Sequence, residues 1–311
     1  MPRRPNAAAV RFPGAFSKAT SQAAAILADT AADAVIGFGG YASTPVYRAA
    51  HKAGLPVVVH EANARPGFAN RYGARFAAAV ATTFPDSGLK GAQVTGLPLR
   101  AEISGLAAAM AQPRQRSGLV AKARADRGWA ADAPVLLVTG GSLGAASLNA
   151  ALCEAAPTLV LHGIHVIHIT GIGKDEDALR VHGELPADLR GAYQVSEYAH
   201  DMAGALAAAS AVVCRAGANT VSEVSALRLP ALYVPLPIGN GEQALNARAA
   251  VDAGAAVLID DADLTGSRVV LEAERMILDP KTAGAMSKAA EGVGIPDGAA
   301  RLADLAEQVL A

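Results

Sequence analysis

The chain has 311 residues, 52% of them apolar and 18% charged, with a formal net charge of −1. That length accommodates two domains with separate cores. The composition excludes extended disorder, and the balanced charge supplies no basic field for holding nucleic acid. Cys153 and Cys214 lie in apolar segments without CxxC spacing and read as reduced core thiols, as in a cytoplasmic protein. The first residues lack the apolar stretch of a signal peptide, and no run approaches the ~18 uncharged apolar residues of a spanning helix.

In chain order, an alanine-rich helical pattern over 17–30 precedes a short buried strand over 33–37, which ends in the glycine turn Gly37 to Gly40. Thr44 as N-cap and Pro45 at the first helical position open a helix that Gly54 stops. A strand over 56–60 completes one βαβ unit. A helix from about Gly67 and strands near 79–81 and 93–95 follow, and Pro98 breaks the pattern. The stretch 104–132 carries one weak helix, so the domain junction is placed between Arg100 and Gln112.

Beyond it the order is strand 134–138, helix 144–155, strands 164–170 and 193–197, helix 201–209, strand 211–214, helix 220–227, strand 230–234, helix 242–253, strand 256–259 and helices to the end. Repeated βα units predict an α/β protein with doubly wound, mostly parallel sheets and ligands outside the carboxyl ends of the strands. His162 and His168 are predicted on one face of the 161–170 segment and His165 on the other, partly exposed and not a metal set.

Two loops carry chemistry. Cys214 to Glu223 reads as strand, glycine turn and helix start with a carboxylate in the first turn, and Val138 to Ala145 is a second strand-to-helix glycine loop. Helix N-termini offer unpaired N–H groups and a positive dipole end to phosphates, which points to a nucleotide-using enzyme. Thr220 to Glu223 is equally a capping-box pattern, so Glu223 also reads as a cap. Ser142 reads also as a turn residue, Gln243 and Asn246 as a solvated helix face, and His60 with Glu61 as a structural pair. No acidic metal-binding pair is evident; Asp260, Asp261 and Asp263 read as helix caps, and no metal or cofactor is expected. The dinucleotide fingerprint with its downstream acidic residue is absent, which disfavours an NAD-linked oxidoreductase.

With these residues laid out, the chain resembles the MurG family of glycosyltransferases. The matching segments, in the family's order, are Gly37 to Pro45, His60 to Asn63 with Pro66, Gly67, Ala69 and Asn70, Gly96 to Arg100, Gly140 to Ala145 with Leu148 and Asn149, Arg215 to Glu223, and Glu242, Gln243, Asn246 and Ala247. The resemblance implies a GT-B fold of two Rossmann-like domains facing a cleft. Its implied bounds are a partial N-terminal acceptor and membrane-side domain over 1–103, with a C-terminal helix near 297–311 packing back on it, and a UDP-sugar domain over 104–296. It implies inverting transfer of N-acetylglucosamine from UDP-N-acetylglucosamine to lipid I, giving lipid II for peptidoglycan, at the cytoplasmic face of the cell membrane.

By the same resemblance Glu223 takes the ribose hydroxyls, and Thr220 with the Ala218 and Asn219 backbone holds phosphate, as does Ser142. Gln243 contacts the sugar beside Asn246, the Ala199 backbone reads uracil, and Asn63 and Arg100 are donor contacts. The family's opening GGTxGH loop has no counterpart here. Met1 falls where the family is already well into its first domain, so the expectation is a member whose start is set too late or one that is shortened, the first being preferred. The loop histidine being absent, Glu61 is the local candidate for catalytic base. A shortened sheet is expected to expose an edge strand. The segment with Arg3, Arg4, Arg11, Phe12, Phe16 and Lys18 reads either as a patch for anionic membrane or as a loop whose phenylalanines enter the core. Against the transferase stands the alternative of a catalytically impaired UDP-sugar-binding fragment or partner subunit.

Overall fold

The computed structural model describes residues 7–141, 144–238 and 241–311. The chain divides into one unit built from 1–98 and 297–311 and another built from 99–296.

The first unit runs α1 (Ala7–Asp29), β1 (Val35–Gly37), α2 (Ser43–Lys52), β2 (Val57–Glu61), α3 (Phe68–Gly73), β3 (Ala79–Thr82) and β4 (Ala92–Val94). Its four strands are parallel in the order β1-β2-β3-β4. All five residues of β2 are buried, as befits a strand covered on both faces. Tyr47 of α2 is fully buried among Val35, Val57 and Val59 on one side. On the other, Leu302 and Leu305 of the C-terminal helix Gly298–Leu310 pack on Val58 and Ala81. β1 forms one edge of this sheet among the described residues, with Ile36 exposed.

Two local expectations are corrected here. The first helix begins at Ala7 and passes through Pro13. α2 starts after Ala42 with no side-chain cap; Thr44 is buried with its hydroxyl unpartnered among the described residues, while Ser43 Oγ donates to Gly39 O. Thr44 therefore faces the core one position inside the helix, where a capping geometry is unattainable.

The second unit runs α4 (Ala101–Met110), α5 (Pro113–Ala125), β5 (Val135–Thr139), α6 (Ala146–Leu161), β6 (His165–Ile169), α7 (Glu176–Glu184), β7 (Tyr193–Ser196), α8 (Met202–Ala208), β8 (Ala211–Cys214), α9 (Ala218–Ala226), β9 (Ala231–Tyr233), α10 (Glu242–Asp252), β10 (Ala256–Leu258), α11 (Gly266–Ile277) and α12 (Pro280–Ala290). Its six parallel strands lie in the order β10-β9-β8-β5-β6-β7. The chain winds outward from β5 through β7, then returns to β8 and winds the other way. The reversal leaves a topological switch point between β5 and β8, where two loops diverge from neighbouring strand ends.

The single weak helix expected over 104–132 is two helices, split where Pro113 opens α5. α7, acidic in its first turn, was not anticipated. The histidine pattern is also corrected. His162 caps the end of α6 and pairs with Glu274, and His168 is fully buried because β6 lies between β5 and β7 with helix α6 packed on it.

Candidate functional site

In the second unit the loop after β5 is glycine-rich because its backbone is crowded. Gly144 has φ +65°, and a Cβ there would lie 2.2 Å from Thr170 O. Gly141 N–H donates to Thr139 Oγ1 at 3.2 Å, and Gly144 N–H to Gly141 O at 2.9 Å. Ser142 lies outside the described residues. Behind the loop sits a buried polar chain. Asn149 Nδ2 donates to Thr170 O at 3.0 Å, and its Oδ1 faces His168 Nε2 at 3.2 Å. His168 Nδ1 lies 2.8 Å from the Tyr193 hydroxyl. An amide oxygen at Nε2 requires that nitrogen to carry the proton, so Nδ1 accepts from Tyr193. Burial pushes the His168 pKa down to about 4, which keeps this tautomer neutral.

The loop after β8 leads through Arg215 and Ala216 to Gly217, the N-cap of α9, at φ −65° and ψ 147° with no side-chain cap. The N–H groups of Ala218, Asn219 and Thr220 therefore point outward from the first turn without an intrahelical acceptor. The capping-box reading of Thr220 and Glu223 is corrected, since the box needs the hydroxyl at the N-cap and the helix begins earlier, at Ala218. Relieved of that task, Glu223 meets Arg100, with Nη2–Oε1 at 3.1 Å. Arg100 stands at the N-cap of α4 and belongs to this unit.

Gln243 and Asn246 of α10 do not form a solvated face. Gln243 Oε1 accepts from Leu236 N–H at 2.9 Å and fixes the loop after β9. Asn246, fully buried, donates to Ala216 O at 3.3 Å and braces the turn into α9. Ala199, half-buried, lies in the loop after β7, next to the ring contact of Tyr198 with His200.

Asp261, expected as a cap, instead joins Arg215 in an ion pair, and Ser147 Oγ donates to it at 2.6 Å. Sequence reasoning gave Arg215 no role. Its signal was a lone cation directly after a buried strand, which needs an arranged partner.

In the first unit, Glu61 ends β2 and is 3% exposed. Its Oε1 accepts from Asn63 N–H at 3.0 Å, and its Oε2 from Gly67 N–H at 3.0 Å and Asn70 Nδ2 at 2.8 Å. Asn70 Oδ1 accepts from the Tyr47 hydroxyl at 2.9 Å, which in turn accepts from Gly39 N–H at 3.3 Å. Gly37 must be glycine, since a Cβ there would meet the Tyr47 ring at 2.0 Å. The network fastens the loops after β1 and β2, including the one bearing Asn63. Glu61 is thus committed to three N–H donors, an arrangement for holding the loop and not that of an available base. His60 is fully buried, Nε2 lies 2.9 Å from Gly96 O, and desolvation holds its pKa below the usual imidazole range.

Among the described residues no group of three or more His, Cys, Asp or Glu side chains converges, and no helix is long and apolar enough to cross a membrane.

Residues 135–308 match the glycosyltransferase family 28 C-terminal domain and residues 1–82 the family 28 N-terminal domain. A Clavibacter sepedonicus protein named UDP-N-acetylglucosamine–N-acetylmuramyl-(pentapeptide) pyrophosphoryl-undecaprenol N-acetylglucosamine transferase is 46% identical over 311 residues, covering 100% of this chain and 80% of its own length. The like-named protein of Mycolicibacterium smegmatis is 44% identical over 314 residues, covering 99% and 78%. The crystal structure of Acinetobacter baumannii MurG superposes with a TM-score of 0.74 at 31% identity, over 95% of this chain and 79% of that one.

Proposed function

Because the chain belongs to glycosyltransferase family 28, we propose that it is a GT-B hexosyltransferase that moves N-acetylglucosamine from UDP-N-acetylglucosamine to lipid I, forming lipid II. The observation that carries this reading is the uncapped first turn of α9 at the switch point, with Glu223 one turn further in, on a chain that aligns over its whole length with transferases of that name.

In the reaction an acceptor hydroxyl attacks the anomeric carbon, the sugar–phosphate bond breaks with inversion, and UDP leaves with the bonding pair while the hydroxyl proton passes to a base. The outward N–H groups at Ala218, Asn219 and Thr220, with the glycine loop that includes Ser142, receive the growing charge on the diphosphate. That stabilisation increases as the bond breaks, so it favours the transition state over the ground state. The Glu223 carboxylate takes the two vicinal ribose hydroxyls in charge-assisted bonds, displacing the Arg100 guanidinium toward the diphosphate. Gln243 keeps its amide N–H groups for the sugar while its oxygen holds Leu236 N–H. Asn246 serves from behind by bracing Ala216, and the Ala199 backbone meets uracil. Phe12 and Phe16, stacked at 5.8 Å on one side of α1, with Lys18 nearby, form the face that meets anionic lipid on the cytoplasmic side.

The test is turnover of UDP-N-acetylglucosamine with lipid I, parent against Glu223→Ala. Lipid II from the parent, with donor KM raised about tenfold or more in the variant, is expected from the loss of hydrogen bonds to a charged group. UDP binding by the parent with no lipid II formed would make the chain a UDP-sugar-binding fragment instead. Co-sedimentation with vesicles that is indifferent to anionic lipid would remove the membrane face.

A further inference from the structure

Two loops from neighbouring strands must present their N–H groups to one diphosphate, and their spacing is set by a side chain outside the donor contacts. Arg215, 11% exposed, spreads its guanidinium across three elements of the second unit. Nη1 donates to Val234 O at 3.2 Å and Pro235 O at 3.1 Å, at the end of β9, and pairs with Asp261 in the short turn before α11. Nη2 donates to Ser147 Oγ at 2.8 Å. Ser147 is the second residue of α6, the helix that the glycine loop opens into, and its own hydroxyl donates to Asp261 at 2.6 Å. Arg215 itself stands two residues ahead of Gly217, the N-cap of α9. The triangle of Arg215, Ser147 and Asp261 thus ties the first turn of one phosphate-facing helix to the lead-in of the other.

We infer that Arg215 is the positioning residue that fixes the distance between the N-termini of α6 and α9, and so shapes the diphosphate subsite without touching the donor. The inference rests on the donor reading given above. Two physical points support it. Arginine presents a rigid planar fork that bridges several acceptors in fixed directions, which a lysine point charge does not reproduce. Arg215 Nε is also buried without a partner among the described residues, a cost that a side chain kept only for stability would avoid. Asn246, holding Ala216 O, limits where the turn relaxes when the brace is cut.

The experiment compares UDP with uridine, which shares base and ribose but has no phosphate, by titration calorimetry on the full chain. In Arg215→Lys, UDP affinity is expected to fall by about tenfold while uridine affinity stays within about twofold, because charge is kept and only the fork geometry is lost. Ser147→Ala cuts one arm of the triangle in a residue that α6 tolerates, and is expected to weaken UDP by about threefold with uridine again unmoved. Should Arg215→Lys fail to fold, the Ser147→Ala result decides. UDP and uridine weakening in parallel, or UDP affinity unchanged in both variants, overturns the brace while leaving the donor site standing. A parent chain that binds UDP no better than uridine overturns the donor reading itself.

Discussion

Each parallel sheet carries a glutamate near the carboxyl ends of its strands, and the two are treated in opposite ways. Glu61 is 3% exposed and its two oxygens accept from Asn63, Gly67 and Asn70. The Glu223 side chain is 14% exposed, and the partner it shows is Arg100, itself 59% exposed. Three fixed N–H donors turn a carboxylate into a fastener, since one of them, the Asn70 amide, is buried and the other two hold the loop by its backbone. A single solvent-washed guanidinium leaves the carboxylate exchangeable, because an ion pair of that exposure holds it weakly. The same side chain is therefore committed in the first unit and exchangeable in the second, and the donors around it make the difference.

The strongest way to break this contrast is Glu61→Ala. It removes the acceptor of two backbone N–H groups and one of the two acceptors of the Asn70 amide, which keeps its bond to His60 O, with an expected loss of about 3 kcal/mol from the first unit's stability. On the reading proposed above, the UDP part of the donor rests on second-unit residues, so UDP affinity is expected to stay within about twofold. Urea unfolding followed by tryptic cleavage of the first unit, beside UDP titration, reads both. A variant that unfolds like the parent yet forms no lipid II would return Glu61 to the role of base and dissolve the contrast.

A second test sharpens the comparison through the polar chain behind the glycine loop. His168 has its pKa lowered from 6.5 to about 4 by burial. Between those values the unfolded chain binds a proton that the folded chain refuses, so the stabilisation is fully present above pH 6.5 and is lost as pH falls toward 4. From pH 7 to pH 5 the second unit is expected to lose about 2 kcal/mol from this group, read as a drop in the urea midpoint. In His168→Gln the acid slope shrinks by that amount. An unchanged slope would mean that the histidine is already charged in the fold and that the tautomer assigned from Asn149 is wrong.

The periodicity in the sequence showed the strands and most helices because parallel strands covered on both faces read as short apolar runs, such as Val135 to Val138. Glycine positions located the loops for a similar reason, since crowding at Gly144 and Gly37 leaves no room for a Cβ. Orientation was less legible. Whether Thr220 caps α9 depends on which residue opens the helix, a matter of two or three positions that local preference does not settle. The partners of Glu61 and Arg215 come from loops brought together only by the sheet order. Asp261 is 46 residues from Arg215, and nothing in its surroundings distinguishes it from a cap.

The smallest expected effect is at Arg100, and it tests the exchangeable side of the comparison directly. Arg100→Ala removes the one ionic partner seen on Glu223, yet a pair with the arginine more than half exposed contributes little after screening. Stability should change by no more than about 0.5 kcal/mol. On the donor reading proposed above, binding feels two opposing consequences, since the ribose no longer competes with the guanidinium for Glu223, but the diphosphate loses a cation. Charge-assisted contact to phosphate is the stronger of the two, so UDP affinity is expected to fall by about threefold, with a shallower dependence on salt. Uridine, which gains the freed carboxylate and has no phosphate to lose, should bind slightly tighter. Uridine weakened along with UDP would show that Arg100 holds Glu223 in place for the ribose, and that this carboxylate is fastened after all.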